Sequence, residues 1–250
     1  MSFTFQNIDR PYGRILVLAP ETERFTDKPL ILLLHGAFEK HKKLLAWAEQ
    51  WSAAYDVALA DLPGHGQSDP PSPVTLDAYI DEIRWLVADH FGHRRVVIVG
   101  DSFGGLLGVA LGNAPPANLA GAVSMDSLLS TEKQWSIRDI LPRVLDGQPE
   151  GSFRRMFAAN VMGMGGDSDE NQDYRRYIEG ARVPILMLAG EIPLGERRDV
   201  SHPSLLDETD RDYLRARNIL GVIPGVGHQL VLQRPQETLT AAMAFVERLH

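Results

Sequence analysis

Short apolar runs alternate along this chain with longer stretches of helical periodicity. Consecutive parallel strands need a crossover of about a dozen residues or more, and that crossover is usually a helix. The alternation therefore predicts an α/β fold, with a mainly parallel sheet covered by helices on both faces. The runs with strand character occupy residues 3–8, 14–18, 30–34, 57–60, 96–99, 120–125, 185–189 and 219–223, and the last six are expected to form the parallel core.

Helical spacing is clearest between residues 76 and 91. Large apolar residues recur there every three or four positions, and Thr75 just before them is a favourable N-cap. Residues 105–113 and 235–249 also have helical character. Pro235 stands at a first helical position, where its missing N–H is harmless.

Residues 127 to about 182 interrupt this rhythm. Their apolar residues have helical spacing and no run has strand character, which predicts a helical insertion between two core strands. No low-complexity tract or linker divides the rest of the chain. We expect one domain over residues 1–250 that carries the insertion as a helical cap.

The charge balance argues against several classes of partner. The 33 acidic and 25 basic side chains give a formal charge of −8, which repels nucleic-acid phosphates and anionic lipid. The first residues lack the pattern of a secretory signal, and the longest aliphatic runs are too short to span a bilayer. We expect a cytoplasmic protein with no nucleic-acid partner and no membrane span. The sequence leaves its oligomeric state open.

Metal and cofactor motifs are missing from the sequence. Cysteine is absent, which excludes disulfides, a thiol nucleophile and cysteine-based metal sites. The histidines and carboxylates lack a close ligand spacing such as H-x-x-x-H, so no metal is expected. No G-x-G-x-x-G motif opens a helix after the early strands, which argues against a dinucleotide. The sequence thus predicts chemistry without a cofactor.

The run at 96–99 leads directly into a G-x-S-x-G motif at residues 100–104, and a helical segment follows. Such a turn holds its serine with strained backbone angles, and the two glycines leave room for the neighbouring strand and helix. The serine Oγ then projects beside a helix N-terminus, where negative charge is favoured. Ser102 is therefore the candidate nucleophile. The alternative is a plain turn serine in a glycine-rich loop.

Three further motifs stand in order around the serine motif. Residues 32–36 read LLLHG, residues 61–68 read DLPGHGQS and residues 225–228 read GVGH. Together the four motifs resemble the α/β-hydrolase superfamily over nearly the whole chain, the insertion excepted. The resemblance implies a serine hydrolase with a twisted eight-stranded sheet, whose first strands form an edge and whose second strand is antiparallel.

His228 is the candidate general base among the eight histidines. It follows the last predicted strand and a glycine-rich turn, so the fold can bring it to the sheet edge beside Ser102. His35 and His65 match loop positions that, by resemblance, organise a turn through hydrogen bonds. The other five histidines lie in polar segments that indicate exposure.

The resemblance also implies two backbone donors for the oxyanion of a tetrahedral intermediate. The N–H of Phe103, just after the candidate nucleophile, matches the first donor. The N–H of Ala37, just after the His-Gly turn, matches the second, and Phe38 is the alternative at that turn.

The triad acid is where this sequence departs from the commoner family pattern. Many members read G-x-x-D after the strand at 185–189, but residues 190–193 read GEIP here. We favour Asp126, at the carboxyl end of the preceding strand, because some branches of the superfamily, haloalkane dehalogenases among them, take their acid from that strand end. The alternatives are a helix-capping role for Asp126, a degraded triad, or a different acid among Glu191, Asp199 and Asp207.

The predicted function is hydrolysis of a carboxylic ester or related acyl substrate through a Ser-His-Asp triad and an acyl-enzyme. The substrate is expected to be small and apolar, because large apolar residues fall in the insertion and the site loops; core packing is the alternative for each. These residues are Phe38, Phe103, Trp135, Met156, Phe157, Met162 and Leu230.

Other chemistries fit the same layout of motifs. They include acyl transfer, thioester or carbon–carbon bond hydrolysis, and the cofactor-free dioxygenases that resemble hydrolases. A ligand-binding or signalling protein that has lost catalysis is a further alternative, which the missing acid after Gly190 keeps open. The sequence does not distinguish the substrate.

Overall fold

The computed structural model describes residues 3–10, 13–20, 28–164, 171–195 and 202–249. Its eight strands form one sheet, in the order β1-β2-β4-β3-β5-β6-β7-β8. The strands are β1 Phe3–Arg10, β2 Gly13–Pro20, β3 Leu30–Leu34, β4 Val57–Ala60, β5 Val96–Asp101, β6 Leu119–Met125, β7 Ile185–Gly190 and β8 Leu220–Ile223.

The direction of the strands matches the predicted α/β fold. Strand β2 pairs antiparallel with both β1 and β4, and every other pairing in the sheet is parallel. The prediction of a mainly parallel eight-stranded sheet with an antiparallel second strand is confirmed. Each predicted strand end lies within two residues of the observed one.

The central strands are buried on both faces. Alternate residues of β3 enter different core layers, because successive side chains of a strand point to opposite faces. Leu32 and Leu34 pack in one layer with α2 (Leu76–Trp85) and α3 (Phe103–Asn113). Ile31 and Leu33 pack in the other layer, which is covered by α1 Leu45–Trp51, α8 Leu230–Gln233 and α9 Pro235–Glu247.

The predicted helices outside the insertion form, with small shifts at their ends. Thr75 caps α2 by accepting a hydrogen bond from the Ala78 N–H at 3.3 Å. The stretch predicted as helix to residue 91 changes character after Trp85, because a π-helical turn, Leu86–His90, follows α2. Pro235 starts α9, as predicted.

The insertion between β6 and β7 contains only short helical elements in its described part, 127–164 and 171–184. They are α4 Trp135–Leu145, α5 Phe153–Met156, a π-helical turn Phe157–Val161, and α6 Arg175–Glu179. An isolated bridge between Ser130 and Asp173 joins the start and end of the segment. One more helix, α7 Glu208–Arg215, precedes β8. Within the described ranges, no helix is long and apolar enough to cross a membrane.

Candidate active site

Ser102 occupies the sharp turn between β5 and α3, with φ 49° and ψ −113°. A residue with a side chain adopts this conformation only at an energetic cost. The turn depends on its two glycines, since a Cβ on Gly100 would collide with the backbone of Gly104, and a Cβ on Gly104 would lie 2.5 Å from the carbonyl oxygen of Leu34. The strand, turn and helix therefore hold Ser102 at the carboxyl edge of the sheet.

Asp126 follows the last residue of β6, the strand beside β5, and is completely buried. Its Oδ2 lies 2.8 Å from Nδ1 of His228. Because an ionised carboxylate only accepts hydrogen bonds, Nδ1 donates in this pair and Nε2 is left without the proton in neutral His228. This is the tautomer that a general base for a serine hydroxyl requires.

Three other groups hold the Asp126 carboxylate in place. Oδ1 accepts hydrogen bonds from the Ser204 hydroxyl at 2.5 Å and the Gly190 N–H at 3.3 Å, and Oδ2 accepts from the Leu205 N–H at 2.9 Å. A buried carboxylate needs such donors, because removal from water disfavours its charge. These three hydrogen bonds fix the orientation of the Asp126 carboxylate independently of its contact with His228.

The rival acids make other contacts. Glu191 accepts a hydrogen bond from the Gly225 N–H at 2.8 Å, and Asp207 caps α7 through the Asp210 N–H at 2.8 Å. Asp199 lies outside the described residues. A capping role for Asp126 is excluded, because the first helix after β6 begins at Trp135, nine residues later.

The environment of His228 favours its protonated form. Burial opposes a charged imidazole, but the hydrogen bond and charge of Asp126 outweigh burial, so the pKa of His228 lies above its ordinary value of 6.5. The carboxylate of Asp101 acts in the same direction and the ammonium of Lys43 opposes it. The side chain is 26% exposed and can exchange protons with a bound molecule.

The two expected backbone donors lie in different elements, Ala37 in the turn after β3 and Phe103 at the start of α3 beside Ser102. Ala37 and Ser102 line the same cavity, and Phe103 is the first residue of α3. The first N–H groups of a helix have no partner within it. In the described part of the chain, neither the Ala37 N–H nor the Phe103 N–H meets an acceptor. Both are available to an oxyanion.

His35 organises this turn, as the sequence predicts. Its Nδ1 donates to the Gly36 carbonyl at 2.8 Å, and its Nε2 accepts from the Leu62 N–H at 2.9 Å. Burial lowers the pKa of His35 to about 4, so the ring stays neutral and keeps this pattern. His65 makes a similar contact to the Pro63 carbonyl at 3.0 Å.

A cluster of charges that sequence reasoning missed lies on the other side of Ser102. The Lys43 ammonium contacts Oε1 of Glu39 and Oδ2 of Asp101, both at 2.7 Å. Glu39 Oε2 also accepts the Gly36 N–H at 3.2 Å. Lys43 therefore connects Asp101, the residue before Ser102, with the turn after β3 that carries Ala37, which we call the oxyanion turn. The only local signal is the four-residue spacing of Glu39 and Lys43.

Unusual backbone angles concentrate around this site. Five described non-glycine residues have positive φ, and only Asn218 among them lies elsewhere. Ser102, Phe38 and His202 line the cavity, and Asp126 contacts His228. Such strain persists where the surrounding structure enforces it, and it is typical of functional sites.

Ser102 and His228 open together into a cavity of about 400 Å³. We call it the large cavity. Phe38 and Trp135 line it, as predicted for a substrate site. Most of the other apolar wall comes from the insertion, and Ala37, Pro203 and Leu205 complete it. The residues of the insertion are Ile137, Ile140, Leu141, Val144 and Met162.

Three of the predicted substrate contacts lie elsewhere. Phe157 is completely buried and packs edge-to-face on the rings of Phe103 and Tyr79. Leu230 is buried in the core layer under α8 and α9, on the opposite face from α3. Met156 is 36% exposed outside the cavity wall. The structure thus gives Phe157 and Leu230 packing positions, which corrects the expectation from their size alone.

Comparisons with known proteins agree with this architecture. The model of the alpha/beta hydrolase fold family matches residues 29–188. Lipase LipV of Mycobacterium tuberculosis is 30% identical over 115 residues, which are 46% of this chain and 43% of the lipase. The chain therefore matches less than half the length of that relative. The pimeloyl-acyl-carrier-protein methyl ester esterase of Aeromonas salmonicida is 27% identical over 209 residues, 79% of each chain.

Solved structures share the whole fold at low identity. E-2-(acetamidomethylene)succinate hydrolase has a TM-score of 0.75 at 19% identity, over 98% of this chain and 100% of that one. Carboxylesterase CesB from Bacillus subtilis has a TM-score of 0.70 at 17% identity, over 98% and 92%. With the family match over more than half of the sequence, these findings show that the chain belongs to the α/β-hydrolase fold family.

Proposed function

We propose that this protein is a serine hydrolase that cleaves a carboxylic ester or related acyl substrate. The observation that carries the proposal is the 2.8 Å contact between His228 Nδ1 and Asp126 Oδ2. It supplies the acid that the sequence lacks at the usual position. Without it, Ser102 and His228 would fit a scaffold that has lost catalysis.

The proposed reaction assigns one role to each of these groups. Ser102 Oγ attacks the acyl carbon while His228 Nε2 accepts its proton, and the Ala37 and Phe103 N–H groups stabilise the oxyanion. The protonated His228 then gives its proton to the leaving oxygen, and an acyl-enzyme remains on Ser102. Water, activated by His228, releases the acid. The Asp126 carboxylate stabilises the imidazolium.

The named relatives support this reaction class. Among them, the lipase and the methyl ester esterase carry ester hydrolysis in their names, and CesB is a carboxylesterase. The cavity adds a second argument, because most of its wall is apolar and both Ser102 and His228 border it.

Covalent labelling tests the proposal directly. A fluorophosphonate should modify one residue, and peptide mass spectrometry should place the label on Ser102. The Ser102→Ala variant should remain folded by circular dichroism, resist labelling, and lose about 10⁶ in kcat on any ester the protein cleaves. A wild-type protein that takes no label and cleaves no ester, thioester or amide would contradict the proposal and favour a binding role.

A further inference from the structure

Ser102 borders a second and much smaller space, of about 30 Å³. We call it the small compartment. It lies between α3 and the insertion, and Ala37 lines it as well. Its remaining walls are mostly apolar: Phe103, Leu106, Leu128, Ile137, Val161 and Met162.

Two polar residues also border the small compartment, but their polar groups have partners. The Tyr174 hydroxyl donates to the Val161 carbonyl at 3.3 Å. The Thr131 hydroxyl accepts from the Gln172 N–H at 2.8 Å. A polar guest would lose its bonds to water there without equivalent replacements. The small compartment therefore suits an apolar group.

The position of His228 distinguishes the two spaces. His228 lines the large cavity and is not part of the small compartment. The leaving oxygen must receive its proton from His228, so the leaving group lies on the His228 side. The small compartment also borders Ser102 but not His228, so we assign the acyl chain to it.

The size of the small compartment limits the acyl chain. One water-sized group needs about 10–15 Å³ by this measure, so 30 Å³ accepts roughly two heavy atoms. The walls are closely packed, since Leu106 is 4% exposed and Val161 2%. Forcing further methylenes into such a wall is unfavourable, because side chains must leave their preferred rotamers.

We propose that the small compartment is the acyl subsite and that it selects acetyl and propionyl esters, while the large cavity takes a bulkier alcohol. The inference rests on the proposed function. In the acylation step the Ser102 Oγ–acyl bond forms and the acyl–oxygen bond breaks. The serine proton passes through His228 to the departing alcohol.

The test is a series of p-nitrophenyl esters from acetate to octanoate. The expected kcat/KM is highest for acetate or propionate and at least about tenfold lower for hexanoate. Equal or higher kcat/KM for hexanoate and octanoate, dependent on Ser102, would overturn the acyl-subsite assignment and leave the proposed function standing.

Two matched valine variants locate the effect. Val161→Ala removes two methyl groups from the small compartment, and Val144→Ala does the same in the large cavity. Val161→Ala should raise the ratio of hexanoate to acetate kcat/KM by about tenfold, and Val144→Ala should leave that ratio unchanged. The reverse pattern would show that the acyl chain occupies the large cavity. Thermal unfolding of both variants confirms that they are folded.

Phosphonate labelling separates the two failures. If Ser102 takes the label but the chain-length profile contradicts the small compartment, only the acyl-subsite assignment falls. If Ser102 takes no label and no ester in the series is cleaved, the proposed function fails and the subsite falls with it.

Discussion

Ser102 stands between two buried carboxylates with very different partners. Asp126, after β6, contacts one imidazole and three uncharged donors. Asp101, the last residue of β5, contacts the ammonium of Lys43. A histidine must gain and lose a proton in each turnover, whereas a lysine paired with carboxylates stays charged. In the proposed reaction the pair of Asp126 and His228 therefore changes its net charge, whereas the group of Lys43, Glu39 and Asp101 keeps its net charge.

The difference assigns separate tasks to the two sides. The Asp126 side orients a proton carrier and raises its pKa. The Lys43 side connects Glu39 on the oxyanion turn with Asp101, so in the proposed mechanism its task is to fix the distance between the Ala37 N–H and Ser102. The two sides also interact, because the charges of Asp101 and Lys43 both act on the pKa of His228.

Among the substitutions that test this difference, replacing Asp126 should lower kcat most. Asp126→Asn keeps the shape but removes the charge that selects the His228 tautomer and stabilises its protonated form, so kcat should fall by roughly 10⁴. The acid limb of kcat/KM should also move to lower pH, since Asp126 raises the pKa of His228. Steady-state kinetics on p-nitrophenyl acetate measures both.

Glu191→Gln is the matched control for Asp126→Asn, because Glu191 is a rival acid whose carboxylate accepts a hydrogen bond from the Gly225 N–H and not from His228. Its kcat should stay within about threefold of the wild type. A large loss in Glu191→Gln with little loss in Asp126→Asn would reverse the assignment of the acid.

Breaking the charge cluster should have a smaller effect. Lys43→Met leaves Glu39 and Asp101 without their cation, so the oxyanion turn shifts relative to Ser102. Removal of an oxyanion donor costs about 10²–10³, and displacement of one should cost roughly 10–10² in kcat with little change in KM. The acid limb should move to higher pH, because Lys43 lowers the pKa of His228 in the wild type.

Lys42→Met is the control for Lys43→Met, since Lys42 is exposed beside it. It should change neither kcat nor the pH profile. A purely structural role for Lys43 would lower the melting temperature and leave the acid limb where it is.

The wild-type pH profile tests His228, whose pKa responds to charges on both sides of the site. Only neutral His228 accepts the serine proton, so kcat/KM should rise with pH through a pKa above 6.5 and then level off. Below that pKa the rate should fall about tenfold per pH unit. A profile that is flat from pH 5 to 8, with chemistry limiting, would contradict the role of His228.

The smallest effect is expected for Glu39→Gln. The amide oxygen can still accept the Gly36 N–H, and only the charge opposite Lys43 is lost. Burial and the charge of Asp101 raise the pKa of Glu39, and the Lys43 ammonium opposes them. We expect a change in kcat of threefold or less, about that of an ordinary surface substitution. A loss as large as that of Lys43→Met would make Glu39 the residue that fixes the turn.

The sequence predicts the sheet well because strand burial is a local property. The apolar run at 30–34 coincides with β3, whose residues are buried on both faces. Ser102 and His228 follow from motifs at strand ends. Asp126 could be placed at such an end, but its supports, Ser204 and Leu205, lie almost 80 residues away and follow no spacing rule.

Two features could not be predicted from the sequence: the packing of the insertion and the charge cluster around Lys43. Met156 and Phe157 are neighbours in a helical stretch, yet one is exposed and the other is completely buried. Which of them is buried depends on how short helices pack, and periodicity does not determine that packing. Lys43 meets Asp101 across 58 residues, so their pairing appears only once β3 and β5 are side by side.

The positive φ angles at Ser102 and Asp126 bear on which replacements are expected at these two positions during evolution. Each such backbone costs about 1–3 kcal/mol, and glycine would adopt it freely. At Ser102 a lineage selected for folding alone would gain stability by drifting to glycine, whereas glycine at position 126 would leave the buried donors of Ser204, Gly190 and Leu205 without their acceptor. Serine at position 102 is therefore expected to persist only while its chemistry is selected, and its replacement by glycine in a descendant would mark the loss of activity.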